Sequence, residues 1–435
     1  MLLLNSSGWL AVASRSLLVV GAGIVGLACA VEAQRRGKQV TLIDCTEPGH
    51  GCSLGNAGIL AVSEIFPLIT PARLLALPQM LLSRDAPAVV RTASMPKLLP
   101  WMLRAARSFS AERQRGIVTA LSALNRNAVS SWRSLLDHCD ASHLLREKGM
   151  IRLIRDEQKR AGLQNIREAL QAHSLPTQML NRDELREMEP AIGKSVAGGL
   201  LHLSDADIGD PLITCRALAD AFVARGGTIL RQTAIALRPT EIGADLQTET
   251  GTHQADQVLV TAGIRSADLL VPLGVTVPLQ AERGYHLMLT GFGQLLGRPV
   301  TFQQESCVAT PMGADLRLAG TVEFAHPDAD PDWSRAEQLV SHAARYFDQD
   351  LAFSAAQKWI GNRPSLPDSL PAIGRLSQAK SSSASPIGYA FGHQHLGITQ
   401  AAISAVLLNQ LMDDQEPEID CRAFSVERFT QFSLA

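Results

Sequence analysis

Leu17-Leu18-Val19-Val20-Gly21-Ala22-Gly23-Ile24-Val25-Gly26 is the stretch on which the reading of this chain turns. Four apolar residues without polar alternation suit a strand buried on both faces. The glycine pattern follows at once. Leu27-Ala28-Cys29-Ala30-Val31-Glu32-Ala33-Gln34-Arg35-Arg36 then has strong helical propensity up to Gly37, a residue type that ends helices. Gln39-Val40-Thr41-Leu42-Ile43-Asp44 reads as a second strand, and its acid stands 18 residues after Gly26. A lone G-x-G-x-x-G is weak, but between a strand and a helix, with an acid ending the next strand, it specifies a dinucleotide-binding unit. Gly21 permits the tight turn, Gly23 lets the backbone approach a pyrophosphate, and Gly26 lets the helix pack closely on the strand. Ile24 and Val25 open that helix, whose N-terminus offers partial positive charge to phosphates. Asp44 is suited to accept hydrogen bonds from both adenosine ribose hydroxyls.

Outward from this unit, the sequence departs from an ordinary NAD domain, which would continue with further strand–helix pairs. It gives instead Gly51-Cys52-Ser53-Leu54-Gly55-Asn56-Ala57-Gly58, a second loop of small residues. An irregular apolar stretch with Pro67, Pro71, Pro78, Pro87, Pro96 and Pro100 comes next. Strand-like sequence of the first kind returns only at Gln257-Val258-Leu259-Val260-Thr261-Ala262-Gly263. A nucleotide domain split in this way favours a bound flavin. Ser53, Asn56, Ala57, Gly58, Ala262 and Gly263 join the cofactor-binding set.

Length and composition bound the remainder. The 435 residues suffice for a sizeable core, and 46% hydrophobic against 19% charged residues fits a globular protein. Forty Lys and Arg balance 42 Asp and Glu, so no basic excess asks for nucleic acid, and 5% aromatics argue against a base-stacking surface. Cys29, Cys45, Cys52, Cys139, Cys215, Cys307 and Cys421 are odd in number and form no C-x-x-C, which fits a reducing, cytoplasmic compartment. Residues 1–14 read as a loose extension; they lack the basic start of a signal peptide. No uninterrupted apolar run reaches the ~18 residues of a membrane span.

The expected architecture combines α/β and α+β: a split Rossmann-like FAD-binding domain interwoven with a mixed-sheet substrate domain. The FAD-binding domain takes residues 16–62, 198–275 and 357–435; the substrate domain takes 63–197 and 276–356. Within these, 117–139 and 157–173 carry apolar residues at helical spacing, and Asp183 is a candidate helix cap. Asp210-Pro211 opens a helix that Gly226-Gly227 closes before a strand at 228–230. Residues 279–321 are rich in strand-like pieces, residues 334–347 read as a helix, and 381–386 as a loop.

Several segments match one family in chain order. They are residues 19–44, Ser53-Leu54-Gly55-Asn56-Ala57-Gly58, Thr261-Ala262-Gly263, Arg363-Pro364-Ser365-Leu366-Pro367-Asp368 with Pro371-Ala372-Ile373-Gly374, and Gly392-His393-Gln394-His395-Leu396-Gly397. The chain from residue 16 onward resembles the D-amino acid oxidase/glycine oxidase superfamily of flavoproteins, and within it the D-amino acid dehydrogenase branch. Glu282-Arg283-Gly284-Tyr285-His286-Leu287-Met288-Leu289 and the Gly392 segment further resemble D-hydroxyproline dehydrogenases.

The resemblance implies FAD-dependent oxidation of an amino or imino acid at Cα–H, with Arg363 at the family's carboxylate-binding position. A guanidinium fork matches two carboxylate oxygens; the alternative is a surface ion-pair arginine. Tyr285 is a candidate hydrogen-bond donor to substrate, or else a half-buried strand aromatic. His286 is a candidate catalytic residue, or else a core histidine. Gly392, His393, Leu396, Gly397 and Ile398 are expected beside the flavin ring, where the following helix N-terminus would stabilise negative charge on the reduced flavin. His393 and His395 lack a completing Cys or carboxylate, so no metal is expected. With no Cys between 363 and 374 and no His between 53 and 58, the FAD is expected to be non-covalent.

Hydride transfer from Cα–H to flavin N5 needs no dedicated base when the amine binds deprotonated. Electrons are expected to pass to a quinone or carrier. Residues 65–109 read as helices covering the flavin lobe, with contact to the inner face of the cell membrane as the alternative. Rival readings are an oxidase of glycine- or sarcosine-type amines, the FAD-binding subunit of a heteromeric dehydrogenase, and an NAD(P)-dependent reductase.

Overall fold

Leu17 and Val19 point into one hydrophobic core, and Leu18 and Val20 into another, which is why this strand carries no polar alternation. The computed structural model describes residues 3–4, 10–11, 15–71, 86, 88–348, 357–377 and 384–432. Strand Ser16–Val20, helix Ile24–Arg35 and strand Gln39–Asp44 form the expected unit, with the two strands parallel. They belong to a six-stranded sheet ordered 228–231, 39–44, 16–20, 257–260, 387–391 and 372–375. Its first five strands are parallel and the last is antiparallel. Gln257–Val260 reaches the centre of this sheet from more than 200 residues away, so the nucleotide lobe is split as its sequence suggested.

The second lobe is a nine-stranded mixed sheet. Its path runs 357–365, 280–289, 315–324, 307–312, 300–302, 150–154, 198–202 and 177–180, with Ala88–Val90 paired to Asp315–Phe324. Helix Ser334–Ala344 covers it through Leu339, Val340 and Ala343.

Several expectations are corrected by partners that lie far off in sequence. Gly198–His202 and Gln357–Ser365 pair within the mixed sheet, so the boundaries expected at 198 and 357 fall before strands that stay with it. Helices Ala111–Arg126 and Ala128–His138, expected in the substrate lobe, pack Leu121, Leu124, Trp132 and Leu135 into the nucleotide-lobe core. Trp132, fully buried, donates its indole N–H to Ile398 O at 2.7 Å and ties that pair to the C-terminal helix. The single helix read over 117–139 is these two, joined at Asn127. Asn181, not Asp183, caps helix Arg182–Met188, in a capping box with Glu184. The helix opened by Asp210-Pro211 runs Pro211–Ala224, with Asp210 accepting from Leu212 N–H. Most of residues 1–14, half of the 381–386 loop and residues 72–85 of the 65–109 segment lie outside the described residues. Among the described residues no helix is long and apolar enough to cross a membrane.

Candidate cofactor and substrate site

A cavity of about 810 Å³ opens at the carboxyl ends of the parallel strands, where open α/β sheets bind ligands. Gly21, Gly23, Ile24 and Val25 line it, as do Asp44, Ser53, Asn56, Ala262 and Gly263. At the other end stand His393, Gly397 and Ile398, at the start of helix Gly397–Met412. Two helix N-termini thus face one cavity. Neither has a side-chain cap from its N-cap residue, and neither has an acid in its first turn. Two helix N-termini on one cavity, each with positive dipole ends, fit a long anionic ligand with a pyrophosphate and an electron-accepting ring.

The first wall is built by close contacts. Gly21 sits at φ +108° and donates its N–H to Ile43 O at 2.8 Å. A Cβ on Gly26 would stand 1.8 Å from Gly21 O, so only glycine lets this helix approach the turn. Asp44 Oδ2 accepts from Ala22 N–H at 2.6 Å, while Oδ1 accepts from Thr46 N–H at 2.8 Å and Thr46 Oγ1 at 3.0 Å. The carboxylate therefore stiffens the turn as well as facing the cavity. Ser53 Oγ accepts from Ile24 N–H at 2.9 Å and ties the second loop to the helix start.

Some expected cofactor residues act from behind the wall. Gly58 accepts from Ile208 N–H and packs against Gly209, while Asn56 Oδ1 accepts from Gly58 N–H. Gly392 packs against Leu366, and Leu396 is the N-cap of the last helix. Gly26, Ala57, Gly58, Gly392 and Leu396 are not among the cavity-lining residues. His393 is buried, its Nε2 lies 3.0 Å from Ser404 Oγ, and burial pushes its pKa down to about 3. It is a neutral, buried histidine in the cavity wall. Among the described residues no group of three or more His, Cys, Asp or Glu is placed to hold a metal.

Arg363 lies on strand Gln357–Ser365 opposite Glu282, and its guanidinium covers Gly284. It is half-buried, and among the described residues no carboxylate forms an ion pair with it. Its chain neighbours Asn362 and Pro364 line the cavity. A part-shielded guanidinium without a protein anion is suited to a ligand carboxylate.

Tyr285 and His286, like Arg363, are not themselves among the cavity-lining residues, and each has a protein partner. The Tyr285 hydroxyl donates to Glu323 Oε2 at 2.7 Å and accepts from Asp332 N–H at 3.0 Å. The ring belongs to the mixed-sheet core, and burial raises its pKa to about 12. His286 points to the opposite face, as strand alternation requires. Its Nδ1 lies 3.2 Å from Gly55 O; since a carbonyl only accepts, Nδ1 carries the proton. The ring stacks on Trp359 with centroids 5.0 Å apart. Burial, with Arg317 and Arg363 nearby, lowers its pKa to about 3, so it stays neutral. His286 positions the cavity-lining Trp359.

Two contributors escaped the sequence reading. Trp359 lines the cavity and presses on Gly55 and Gly361, where an added Cβ would stand 1.8 and 2.0 Å from its ring. Arg317, 3% exposed, donates from Nη1 to Leu54 O at 2.9 Å and Asn56 O at 2.6 Å. It fastens the second loop to the mixed sheet. An arginine among Leu316, Leu318 and Ala319 was the available signal, but its partner was not legible from one strand.

Comparison with known proteins agrees with this geometry. A family profile described as FAD dependent oxidoreductase matches residues 16–411. A D-amino-acid oxidase of Bradyrhizobium diazoefficiens is 32% identical over 428 residues, covering 95% of this chain and 99% of that protein. D-amino acid dehydrogenase 1 of Mesorhizobium japonicum is 27% identical, with 95% and 99% covered. Glycine oxidase from Geobacillus kaustophilus shares the fold with a TM-score of 0.71 at 22% identity, covering 95% of this chain and 99% of that one. L-proline dehydrogenase from P. horikoshii also gives 0.71, at 15% identity, with 97% and 99% covered.

Proposed function

The chain belongs to the FAD-dependent oxidoreductase family, and from that premise we propose that it oxidises D-amino acids at the Cα–N bond. The observation that carries this reading is the Arg363 guanidinium, which covers Gly284 from between the cavity-lining Asn362 and Pro364 and has no carboxylate partner among the described residues. Names of the similar proteins, a D-amino-acid oxidase and a D-amino acid dehydrogenase, support the same chemistry.

When bound, FAD supplies the acceptor for the substrate's Cα hydride. Arg363 binds the substrate carboxylate and fixes which C–H bond is presented. Gly397 and Ile398 present helix N–H groups where negative charge develops. Trp359, backed by His286, forms the wall beside them. His286 and His393 are neutral and take no part as acids at ordinary pH.

The finer reading is a cyclic imino acid, such as cis-4-hydroxy-D-proline, as substrate, with electrons leaving to a quinone or carrier. Leu99 and Leu103 lie one turn apart and exposed on helix Met95–Ala106, with Arg104 beside them. That face supports peripheral contact with an anionic membrane surface at its cytoplasmic side. FAD is held without a covalent bond: burial raises the thiol of the cavity-lining Cys52 to about 11, which keeps it protonated and a poor nucleophile.

Anaerobic mixing with a panel of D- and L-amino acids, D-proline, cis-4-hydroxy-D-proline, glycine and sarcosine tests the reading. Bleaching of the flavin by D-enantiomers supports it. A flavin that no amino acid bleaches favours the subunit of a heteromeric dehydrogenase instead.

A further inference from the structure

A second set of charged side chains meets where the mixed sheet faces the first turn of helix Gly397–Met412. Glu64 Oε1 accepts from Arg152 Nη2 at 2.8 Å, and Arg152 Nη1 donates to Gln303 Oε1 at 3.0 Å. Arg152 belongs to strand Met150–Ile154, and Gln303 follows Val300–Phe302. Glu64 comes from the nucleotide-lobe side. Its segment is stapled to the helix by Thr399, whose Oγ1 accepts from Ala61 N–H at 3.0 Å and donates to Ile59 O at 3.3 Å. Asn125 Nδ2 donates to Glu64 O at 3.0 Å, and Ser63 N–H and Oγ both donate to Asp205 at 2.8 Å.

These bonds commit the backbone and leave the Glu64 carboxylate presented. Ser63 and Ile65 are buried, yet the Glu64 side chain keeps 35% of its surface accessible. Burial works to raise its pKa, but the Arg152 guanidinium beside it brings it below the usual range. His202, 1% exposed, has no partner for either ring nitrogen among the described residues.

One loop relates this anion to Arg363. Gln394 N–H donates to Pro364 O at 3.0 Å and His393 bridges to Ser365, beside Arg363, while His395 is near enough to act electrostatically on Glu64. A cation and an anion thus adjoin the two ends of the loop that carries the flavin-side helix.

We propose that Glu64, held by Arg152, determines substrate specificity by accepting a hydrogen bond from a hydroxyl or amine on the part of the substrate remote from its carboxylate. This rests on the D-amino acid reading above. The chemical class selected is a D-amino or imino acid with a donor on its ring or side chain. Removing the acceptor leaves that donor unpaired, the case in which discrimination is greatest.

The test compares wild-type, Glu64→Gln and Glu64→Leu holoenzymes in anaerobic flavin reduction. Substrates are taken in pairs that differ by one hydroxyl: cis-4-hydroxy-D-proline with D-proline, and D-serine with D-alanine. FAD content and melting temperature are read alongside. Glu64→Leu is expected to lower the hydroxylated-to-plain ratio of kcat/KM about tenfold or more, and Glu64→Gln, which keeps the shape and the Arg152 contact, by less. An unchanged ratio, or equal loss on both members of each pair, overturns the inference while leaving the D-amino acid reading intact. Failure of every amino acid to reduce wild-type flavin rejects that reading, and this inference with it.

Discussion

Arg363 and Gly284 are in contact across two neighbouring strands, so closely that a Cβ at position 284 would stand 2.4 Å from Arg363 Cζ. The atom that must yield is the end of a flexible side chain, not backbone. Gly284→Ala should therefore fold and keep FAD while displacing the guanidinium. KM for D-amino acids is expected to rise about tenfold, equivalent to 1.4 kcal/mol, with kcat changed less. Loss of FAD together with activity would show that Gly284 serves the fold alone.

Gly26 presents the opposite case. Its missing Cβ would meet Gly21 O at 1.8 Å, and backbone has nowhere to go without opening the nucleotide turn. Gly26→Ala should cost roughly 1–3 kcal/mol of stability, as overpacking does. Expression of soluble, yellow Gly26→Ala protein with the wild-type melting temperature would contradict the helix–turn contact.

Asp44→Ala removes the acceptor for Ala22 N–H and leaves Thr46 without its partner. An orphaned part-buried N–H costs about 1–3 kcal/mol, and the ribose loses its acceptor. The dissociation constant for FAD, measured by fluorescence quenching, should rise at least about tenfold. An unchanged constant would put the adenosine elsewhere.

Asp205 gives a pH prediction. Burial raises its pKa from the ordinary aspartate value to about 7, against the hydrogen bonds from Ser63. Between about pH 4 and 7 the folded chain keeps a proton that the unfolded chain has released. Stability from this group is therefore present below the unfolded pKa and lost as pH rises toward 7. Asp205→Asn cannot ionise and should remove that loss. Urea midpoints of wild type should fall relative to Asp205→Asn between pH 5 and pH 8; parallel curves would show that Asp205 is ionised throughout.

Much of the fold was legible because the deciding signals are local. A double-buried strand, a glycine turn, a helix and a terminal acid lie within 28 residues, from Leu17 to Asp44, and the structure joins them as read. Asp210-Pro211 likewise carries its own cap. What was not legible depends on distant partners. Gly198–His202 and Gln357–Ser365 join the mixed sheet through strands at 150–154 and 280–289, which no short window reveals. Tyr285 and His286 are adjacent in sequence, yet alternation sends them to opposite faces. Glu323 and Asp332 then claim the tyrosine, while Gly55 and Trp359 claim the histidine. Arg317 and Glu64 carry no motif, and each gains meaning only from the loop or strand it meets.

If Arg363 holds the substrate carboxylate, Arg363→Leu changes anaerobic flavin reduction measured over a range of D-amino acid concentrations. A yellow, FAD-loaded protein whose half-saturating concentration rises about tenfold or more is expected. An FAD-loaded variant with the wild-type half-saturating concentration would contradict that role of Arg363.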